Sequence, residues 1–192
     1  MRGPSWPMLI GIAVCLIAIA IFSVMTRMGA MKPVEISKET YAAFQVLTKD
    51  HLGAYHKIVP VISEVETWAK ANGEPCTQSF GEYFDDPEKN DEDRLKSRGG
   101  CLLTKTKEEA EKAWAGKIPQ GMSIATIDAR SVVKAVYAGA PSLGPVKVYP
   151  KVLEYMKLND LKSAGAVIEI YQFNEKTSQG TTTYIFPSQS AR

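Results

Sequence analysis

One glutamate lies inside an apolar strand, where its carboxylate could bind a cation or accept a proton. Glu169 is flanked by Ile168 and Ile170 in the stretch Val167 to Tyr171. Because neighbouring residues of a strand point to opposite faces, Glu169 and Tyr171 share one face, and we expect the isoleucine face to pack against helices. Glu169 would then point away from the helices. A solvated strand glutamate and a desolvated carboxylate that selects a cation or acts as a general base both fit this spacing.

The elements that would position this glutamate occur twice in the chain. A Leu-Gly pair begins at Leu52 and another at Leu143, and each leads into a proline-marked helix that is followed by strands. The repeated order β-α-β-β, over about 33–104 and 121–187, predicts an α+β domain with its helices on one face of a curved antiparallel sheet. Two such halves leave a groove along their seam, and ligands usually bind in grooves of this kind.

The residues before the repeats predict a transmembrane helix. Met8 to Met25 contains 18 residues and no charged side chain. At about 1.5 Å per residue, a helix of this length nearly spans the roughly 30 Å hydrocarbon core of a bilayer. We therefore divide the chain into an anchor with its flank, residues 1–31, and a domain, residues 32–192.

Two other interpretations of the apolar stretch are less favoured. A secretory signal has a shorter apolar region, about 7–15 residues, and needs a better cleavage site than the one around Met28. Lipoprotein processing at Cys15 would require a small residue where Val14 stands. Basic residues flank both sides of the stretch, Arg2 before it and Arg27 among those after it. The positive-inside rule therefore gives only a slight preference for a cytoplasmic domain.

Composition narrows the range of functions. The chain has 23 Lys and Arg against 21 Asp and Glu, a formal charge of +2, and no basic stripe, so nucleic acid is not an expected partner. Cys76 and Cys101 form no CxxC motif, and His51 and His56 have no matching nucleophile, so we expect neither a metal nor a cofactor. For the two cysteines, buried free thiols are the preferred interpretation, although their number allows one disulfide.

The ordered motifs resemble the GyrI-like small-molecule-binding domain, here in a membrane-anchored form. This domain is also the effector-binding module of AraC-type and MerR-type regulators, and it is grouped with the SOUL haem-binding family. The resemblance covers about residues 33–187. It is carried by the segments Leu52-Gly53-Ala54-Tyr55, Phe80 to Pro87, Gly100-Cys101, Gly139-Ala140-Pro141, Ile168 to Tyr171 and Ile185-Phe186-Pro187.

The resemblance implies a ligand site. The family's pocket glutamate matches Glu169, and the aromatic residues that would line the pocket with it are Tyr55, Tyr83, Tyr137 and Tyr171. Members of the family sense lipophilic cations, which implies a membrane-anchored binder of a small amphipathic or cationic molecule. Some members hydrolyse cyclopropane-type electrophiles, so a membrane-tethered hydrolase with Glu169 as its catalytic residue is the alternative. A third alternative is an interaction module that recruits a protein partner to the membrane.

Overall fold

The computed structural model describes residues 6–174 and 179–191. The helices and strands of this part of the chain, in order, are α1 (Trp6–Arg27), β1 (Val34–Tyr41), β2 (Phe44–Leu52), α2 (Val59–Ala71), β3 (Gln78–Tyr83), β4 (Lys96–Leu102), α3 (Lys107–Ala113), β5 (Met122–Ile127), β6 (Arg130–Tyr137), α4 (Gly144–Leu158), β7 (Leu161–Ser163), β8 (Val167–Asn174) and β9 (Gln179–Ser190).

The strands form an antiparallel sheet built from two equivalent halves. Their order is β1-β6-β9-β8-β3-β4-β2-β5, with β7 paired to β9 outside this path. One half contains β2, α2, β3 and β4, and the other contains β6, α4, β8 and β9. The halves meet where β3 pairs with β8, with Gly81 opposite Glu169. The predicted α+β fold with duplicated β-α-β-β units is therefore confirmed.

Two short connections make the sheet curve. Residues 42–43 join β1 to β2, and residues 128–129 join β5 to β6, although the joined strands lie at opposite ends of the strand order. Two residues can span only about 7 Å even when extended. The sheet must therefore bend until its two ends approach each other, which encloses its concave face.

The enclosed face explains why one prediction was wrong. Ile168 and Ile170 point into this concave face, where they join an apolar cluster drawn from both halves that includes Phe80 and Val132. The curved sheet has an apolar interior of its own, so the two isoleucines are buried there without packing against the helices. Glu169 therefore points toward the helices and not away from them, as its hydrogen bond to a tyrosine of α4 shows.

The convex face carries the helices over two separate clusters. Over the first half, α2 and α3 bury Val65 and Trp114 against the sheet. Over the second half, α4 buries Val152 and Met156. In the sequence, an apolar helical stripe is predicted for Tyr149, Val152, Leu153 and Met156. This prediction is wrong at one position, because Leu153 is 60% exposed.

Local signals at the helix ends behave as their residue types predict. Gly73, with φ of +80°, follows the end of α2 in the left-handed conformation that favours glycine. The spacing of Thr106 and Glu109 predicts a capping box, and the structure confirms it at the start of α3, where each side chain accepts a hydrogen bond from the other residue's backbone N–H. The sequence predicts a first strand at Pro33 to Ser37 and a second from Tyr41. The first is longer than predicted, since β1 continues to Tyr41 and β2 begins only at Phe44.

The two cysteines of the domain form a disulfide, and the expectation of free thiols was wrong. Cys76 precedes β3 and Cys101 lies in β4, with Cα atoms 5.6 Å apart. Both are buried in the cluster under α2 and α3. The pairing of β3 with β4 places Ser79 opposite Cys101, and this register brings the two cysteines within bonding distance.

The helix α1 is long and apolar enough to cross a membrane by length and composition alone. Its most apolar 18-residue stretch has a mean hydropathy of 2.9, and none of that stretch is buried against the domain. One such helix near an N-terminus is weak support for a span. Arg2 is one of the flanking charges from which the orientation was predicted, and it lies outside the described residues.

The end of α1 is attached to the second half of the domain. The backbone N–H of Ala140 donates to the carbonyl of Met28 at 2.8 Å. The Tyr137 hydroxyl donates to the carbonyl of Gly29 at 2.9 Å, and the Lys147 ammonium donates to the carbonyl of Lys32 at 2.6 Å. These contacts hold the residues after α1 against the start of α4 and the end of β6.

Two neighbouring positions of α4 test its packing. Met156 is 5% exposed and Leu153 is 60% exposed. We expect Met156→Ala to lower the free energy of unfolding by about 2–5 kcal/mol, because it leaves a cavity under α4. Leu153→Ala should lower it by less than about 0.5 kcal/mol. Urea unfolding of the full chain in detergent would measure both, and equal losses would contradict the assigned face of the helix.

Candidate functional site

Glu169 lies at the centre of the sheet, on the strand where the two halves meet. Its neighbours across the strands are Gly81 on β3 and Tyr184 on β9. The residue is 6% exposed. The Tyr149 hydroxyl donates to Oε1 of Glu169, and the Tyr171 hydroxyl donates to Oε2, each at 2.9 Å. Both carboxylate oxygens thus accept a hydrogen bond from a tyrosine.

Two further tyrosines support this pair. The hydroxyl oxygens of Tyr83 and Tyr171 are 2.8 Å apart. The ring of Tyr55 packs edge-on against that of Tyr83, with centroids 4.8 Å apart. Tyr55 is itself held by Asp85, whose carbonyl accepts from its hydroxyl at 2.8 Å and whose N–H donates to it at 2.9 Å. The tyrosines therefore form a connected aromatic group above the carboxylate.

The duplication explains why Tyr83 and Tyr171 meet. Gly81 and Glu169 are paired across the seam, and each of the two tyrosines lies two residues after one member of that pair. A twofold axis through the seam therefore relates the two tyrosines and brings their side chains together. Gly81 leaves room for this, because a Cβ at that position would lie 2.7 Å from the Tyr83 hydroxyl. The carboxylate is present in only one half.

Burial sets the protonation of these groups. Burial raises the pKa of Glu169 above its ordinary value, although the hydrogen bonds from Tyr171 and Tyr149 act in the opposite direction. Burial, followed by the charge of Glu169, also raises the pKa of Tyr83, Tyr149 and Tyr171. The tyrosines consequently remain neutral at physiological pH. Within the described part of the chain, the site is a carboxylate without a cationic partner, surrounded by neutral aromatic rings.

A cleft of about 890 Å³ lies beside the site. Tyr171 lines the cleft and also hydrogen-bonds Glu169, so this tyrosine connects the cleft to the carboxylate. The cleft is otherwise lined by the last turn of α1, by α2 and the segment after it, by the loop at residues 138–141 and by the adjoining ends of β8 and β9.

The structure brings together most of the tyrosines expected at the site. Tyr171 contacts Glu169, Tyr83 contacts Tyr171, and Tyr55 packs behind Tyr83. Tyr137 lies elsewhere, fully buried with its hydroxyl on the carbonyl of Gly29.

Two tyrosines at the site were not anticipated. Tyr149 was counted only as part of the apolar stripe of α4, yet it donates directly to Glu169. Tyr184 lies opposite Glu169 on β9 and packs its ring 6.1 Å from that of Tyr149. Had the face of Glu169 been predicted correctly, alternation along β9 would have identified Tyr184, and Tyr149 would have followed from its place on the helix that covers this face.

Glu82, on the neighbouring strand β3, illustrates how the other face of the sheet differs. It is 4% exposed and forms an ion pair with Arg98, the residue opposite it on β4. Its charge is therefore matched, unlike that of Glu169. Among the described residues, no group of three or more His, Cys, Asp or Glu side chains could hold a metal ion.

Several solved structures share this architecture. The EcmrR C-terminal domain is similar with a TM-score of 0.62 at 14% identity, over 82% of this chain and 98% of that domain. SAV2435 bound to tetraphenylphosphonium is similar with a TM-score of 0.52 at 12% identity, over 81% of this chain and 94% of that protein. A hydrolase from Listeria innocua is similar with a TM-score of 0.52 at 14% identity, over 81% of this chain and 92% of that protein.

These likenesses define the fold of the chain. The domain has a GyrI-like fold, in agreement with the motifs of the sequence. No protein-family model matches the chain, and no curated protein matches it. At such low identity, what each neighbour binds or hydrolyses remains a property of that neighbour.

The raised pKa of Glu169 predicts a pH-dependent stability. Because its folded-state pKa lies above the ordinary value of 4.5, the folded protein binds more protons than the unfolded chain between these two values. Its stabilising contribution is thus fully present below about pH 4.5 and is lost as pH rises through the folded-state pKa. A difference of one pKa unit corresponds to about 1.4 kcal/mol.

We therefore expect Glu169→Gln to melt at a progressively higher temperature relative to the wild type as pH rises from about 4.5 to 8. Thermal melts across this range would measure the difference. Glu154→Gln, which changes an exposed carboxylate of α4, is the matched control and should run parallel to the wild type. A Glu169→Gln curve that also runs parallel would contradict the raised pKa.

Proposed function

We propose that this chain is a membrane-anchored domain that binds a small amphipathic cation at Glu169. The observation that carries the proposal is the unmatched charge of this residue. The carboxylate is buried and accepts only tyrosine hydroxyls, and no ion pair to it occurs within residues 6–174 and 179–191. A cationic ligand would supply the missing opposite charge.

Physical magnitudes favour this class of ligand. An ionised carboxylate taken out of water costs several kcal/mol unless it is paired. A cation next to Glu169 would remove that penalty and lower the raised pKa, so binding would release a proton wherever the empty site is protonated. The rings of Tyr83, Tyr149 and Tyr171 would add cation–π attraction, which is worth about 2 kcal/mol in desolvated sites. The likeness to SAV2435 bound to tetraphenylphosphonium supports the same class of ligand.

Tyr171 is the side chain that must move to admit such a ligand. Its hydroxyl bonds Glu169 and the residue also lines the cleft, so a rotation of this ring would open the carboxylate to the cleft. The partner hydroxyl of Tyr83 would lose one contact in the process. A ligand cation would replace these hydrogen bonds with a charge interaction, which is stronger.

The hydrolase alternative assigns Glu169 as the general base. A general base must reach a water or substrate proton, and here both carboxylate oxygens are occupied by Tyr149 and Tyr171. Rotation of Tyr171 would free Oε2 for either role, but a bound cation needs only the charge of the carboxylate, whereas a general base also needs a water or substrate proton aligned with that oxygen. Chromatography of a cyclopropane-type electrophile incubated with the chain distinguishes the two, since a binder returns the compound unchanged.

Tetraphenylphosphonium is a suitable probe of the site. We expect titration calorimetry of the full chain in detergent to detect its binding and Glu169→Gln to weaken that binding about 10- to 100-fold. The reason is that interactions with charged groups are worth roughly 1.5–3 kcal/mol. The exposed-carboxylate control Glu154→Gln should bind like the wild type. Equal affinity of wild type and Glu169→Gln would remove Glu169 from the binding site.

The proposed anchor is α1, and the disulfide suggests which side the domain occupies. Disulfides persist in oxidising compartments and are rare in the cytoplasm. The bond between Cys76 and Cys101 therefore favours placing the domain outside the cytoplasm, against the slight preference that the flanking charges gave. The positive-inside rule is weak here because basic residues flank both ends of the apolar stretch.

Fractionation and thiol labelling test the anchor and its orientation together. We expect the full chain to stay in the membrane fraction after an alkaline wash. In a Cys15→Ser background, acid-trapped cells should show no maleimide–polyethylene glycol addition to Cys76 or Cys101 before reduction and two additions after it. Release by the alkaline wash would contradict the anchor. Labelling without reductant would place the domain in the cytoplasm.

A further inference from the structure

We infer that the cleft beside Tyr171 binds the phosphate-bearing headgroup of an anionic membrane lipid. The inference rests on the proposed membrane anchor but not on the proposed cationic ligand. It concerns a second site, since Glu169 itself is not among the residues that line the cleft. Three features support it: the depth of the cleft relative to the bilayer, the charge of its walls and its exposed apolar rim.

The depth follows from the end of α1. This helix has 22 residues, which at about 1.5 Å per residue give roughly 33 Å, close to the thickness of the hydrocarbon core. Its last turn contributes Val24 and Arg27 to the cleft, and Met28 follows them. The cleft wall thus begins where the helix leaves the hydrocarbon, at the level of the lipid headgroups.

The remaining walls are held at this depth by the domain. The carbonyl of Met28 accepts the N–H of Ala140, which also lines the cleft. The Lys147 ammonium lies over the ring of Tyr137 at 5.1 Å and binds the carbonyls of the segment after α1. The cleft is consequently built from both the proposed span and the domain, with little freedom between them.

The charged side chains of the cleft are mainly basic. Arg27, Lys32 and Lys70 line it together with a single acidic residue, Glu66. Glu66 lies 3.8 Å from Lys70 in a partly exposed ion pair, and this one acid offsets only part of the positive charge. A phosphate group matches such walls, since Arg and Lys bind phosphate through charge-assisted hydrogen bonds. At the anionic cytoplasmic leaflet each basic residue is worth about 1 kcal/mol, which we take as the scale of a contact with a single anionic headgroup on either side.

The rim of the cleft would accept the start of an acyl chain. Phe173 lines the cleft and is 64% exposed, and Val24 is 55% exposed on the last turn of α1. Large aromatic residues at the headgroup level commonly contact the lipid interface. A free phosphate would use only the basic walls, whereas a lipid would use both the walls and this rim.

The lipid site and the carboxylate site would affect each other through charge. A cationic ligand inside the cleft would be repelled by Arg27 and Lys70, which line it. A bound anionic headgroup would neutralise that barrier without touching the carboxylate. Tyr171 lies in the wall that the two sites share.

The test uses the full chain purified in dodecyl maltoside and exposed to equal amounts of dioctanoyl phosphatidic acid and dioctanoyl phosphatidylcholine. Native mass spectrometry counts the lipid adducts. We expect about tenfold more phosphatidic acid than phosphatidylcholine on the wild type, and loss of this preference in the double variant Arg27→Gln, Lys70→Gln. Lys151→Gln, an exposed lysine of α4 outside the cleft, should keep it. Arg27→Lys should also keep most of it, because the charge remains.

Each outcome decides the inference. Equal adducts of both lipids on the wild type, or an unchanged preference in the double variant, would overturn it. Displacement of phosphatidic acid by millimolar inorganic phosphate would identify a site for soluble anions and would also overturn it. The result is independent of the tetraphenylphosphonium experiment, which uses a probe of opposite charge and a different residue. The lipid count is made in detergent and does not depend on membrane attachment. A failure of the proposed anchor would therefore be detected separately, by release of the chain in the alkaline wash.

Discussion

The buried carboxylate of Glu169 is the constraint around which the seam of this domain is organised. A charge at the centre of a sheet must be solvated by protein groups, and two tyrosine hydroxyls do this here. Tyr171 comes from the same strand and Tyr149 from α4, so the pair of bonds also ties the helix to the sheet. Gly81 completes the arrangement by leaving the space that Tyr83 occupies.

The curvature of the sheet determines which face this charge can occupy. Because two-residue connections draw the ends of the sheet together, the concave side is dry and holds Ile168 and Ile170. A carboxylate on that side would face this apolar cluster. The ion pair of Glu82 with Arg98 shows what is required there for a buried acid. Glu169 can remain unpaired only on the convex side, where tyrosine donors from α4 and β8 reach it.

Local patterns were sufficient to predict the repeated units, the strand alternation and the capping box of α3, because each depends on residues close in sequence. The face of Glu169 was mispredicted. Alternation shows that successive residues of a strand point to opposite faces of the sheet, but not which face lies under the helices. The disulfide between Cys76 and Cys101 depends on the pairing of β3 with β4, and the sequence carries no measure of that distance. Tyr149 was missed for a related reason: it reaches Glu169 only because the glutamate lies on the face of β8 that α4 covers.

The two charged regions of the domain have opposite signs and different solvation. Glu169 lies in a desolvated, aromatic setting, where a charge interacts strongly over short distances. Arg27 and Lys70 lie at an open cleft, where their interactions are screened within about 10 Å. A soft organic cation suits the first environment, because its apolar surface is buried while its charge is paired. A hydrated phosphate suits the second. The single tyrosine between them, Tyr171, keeps these two environments apart while contacting both.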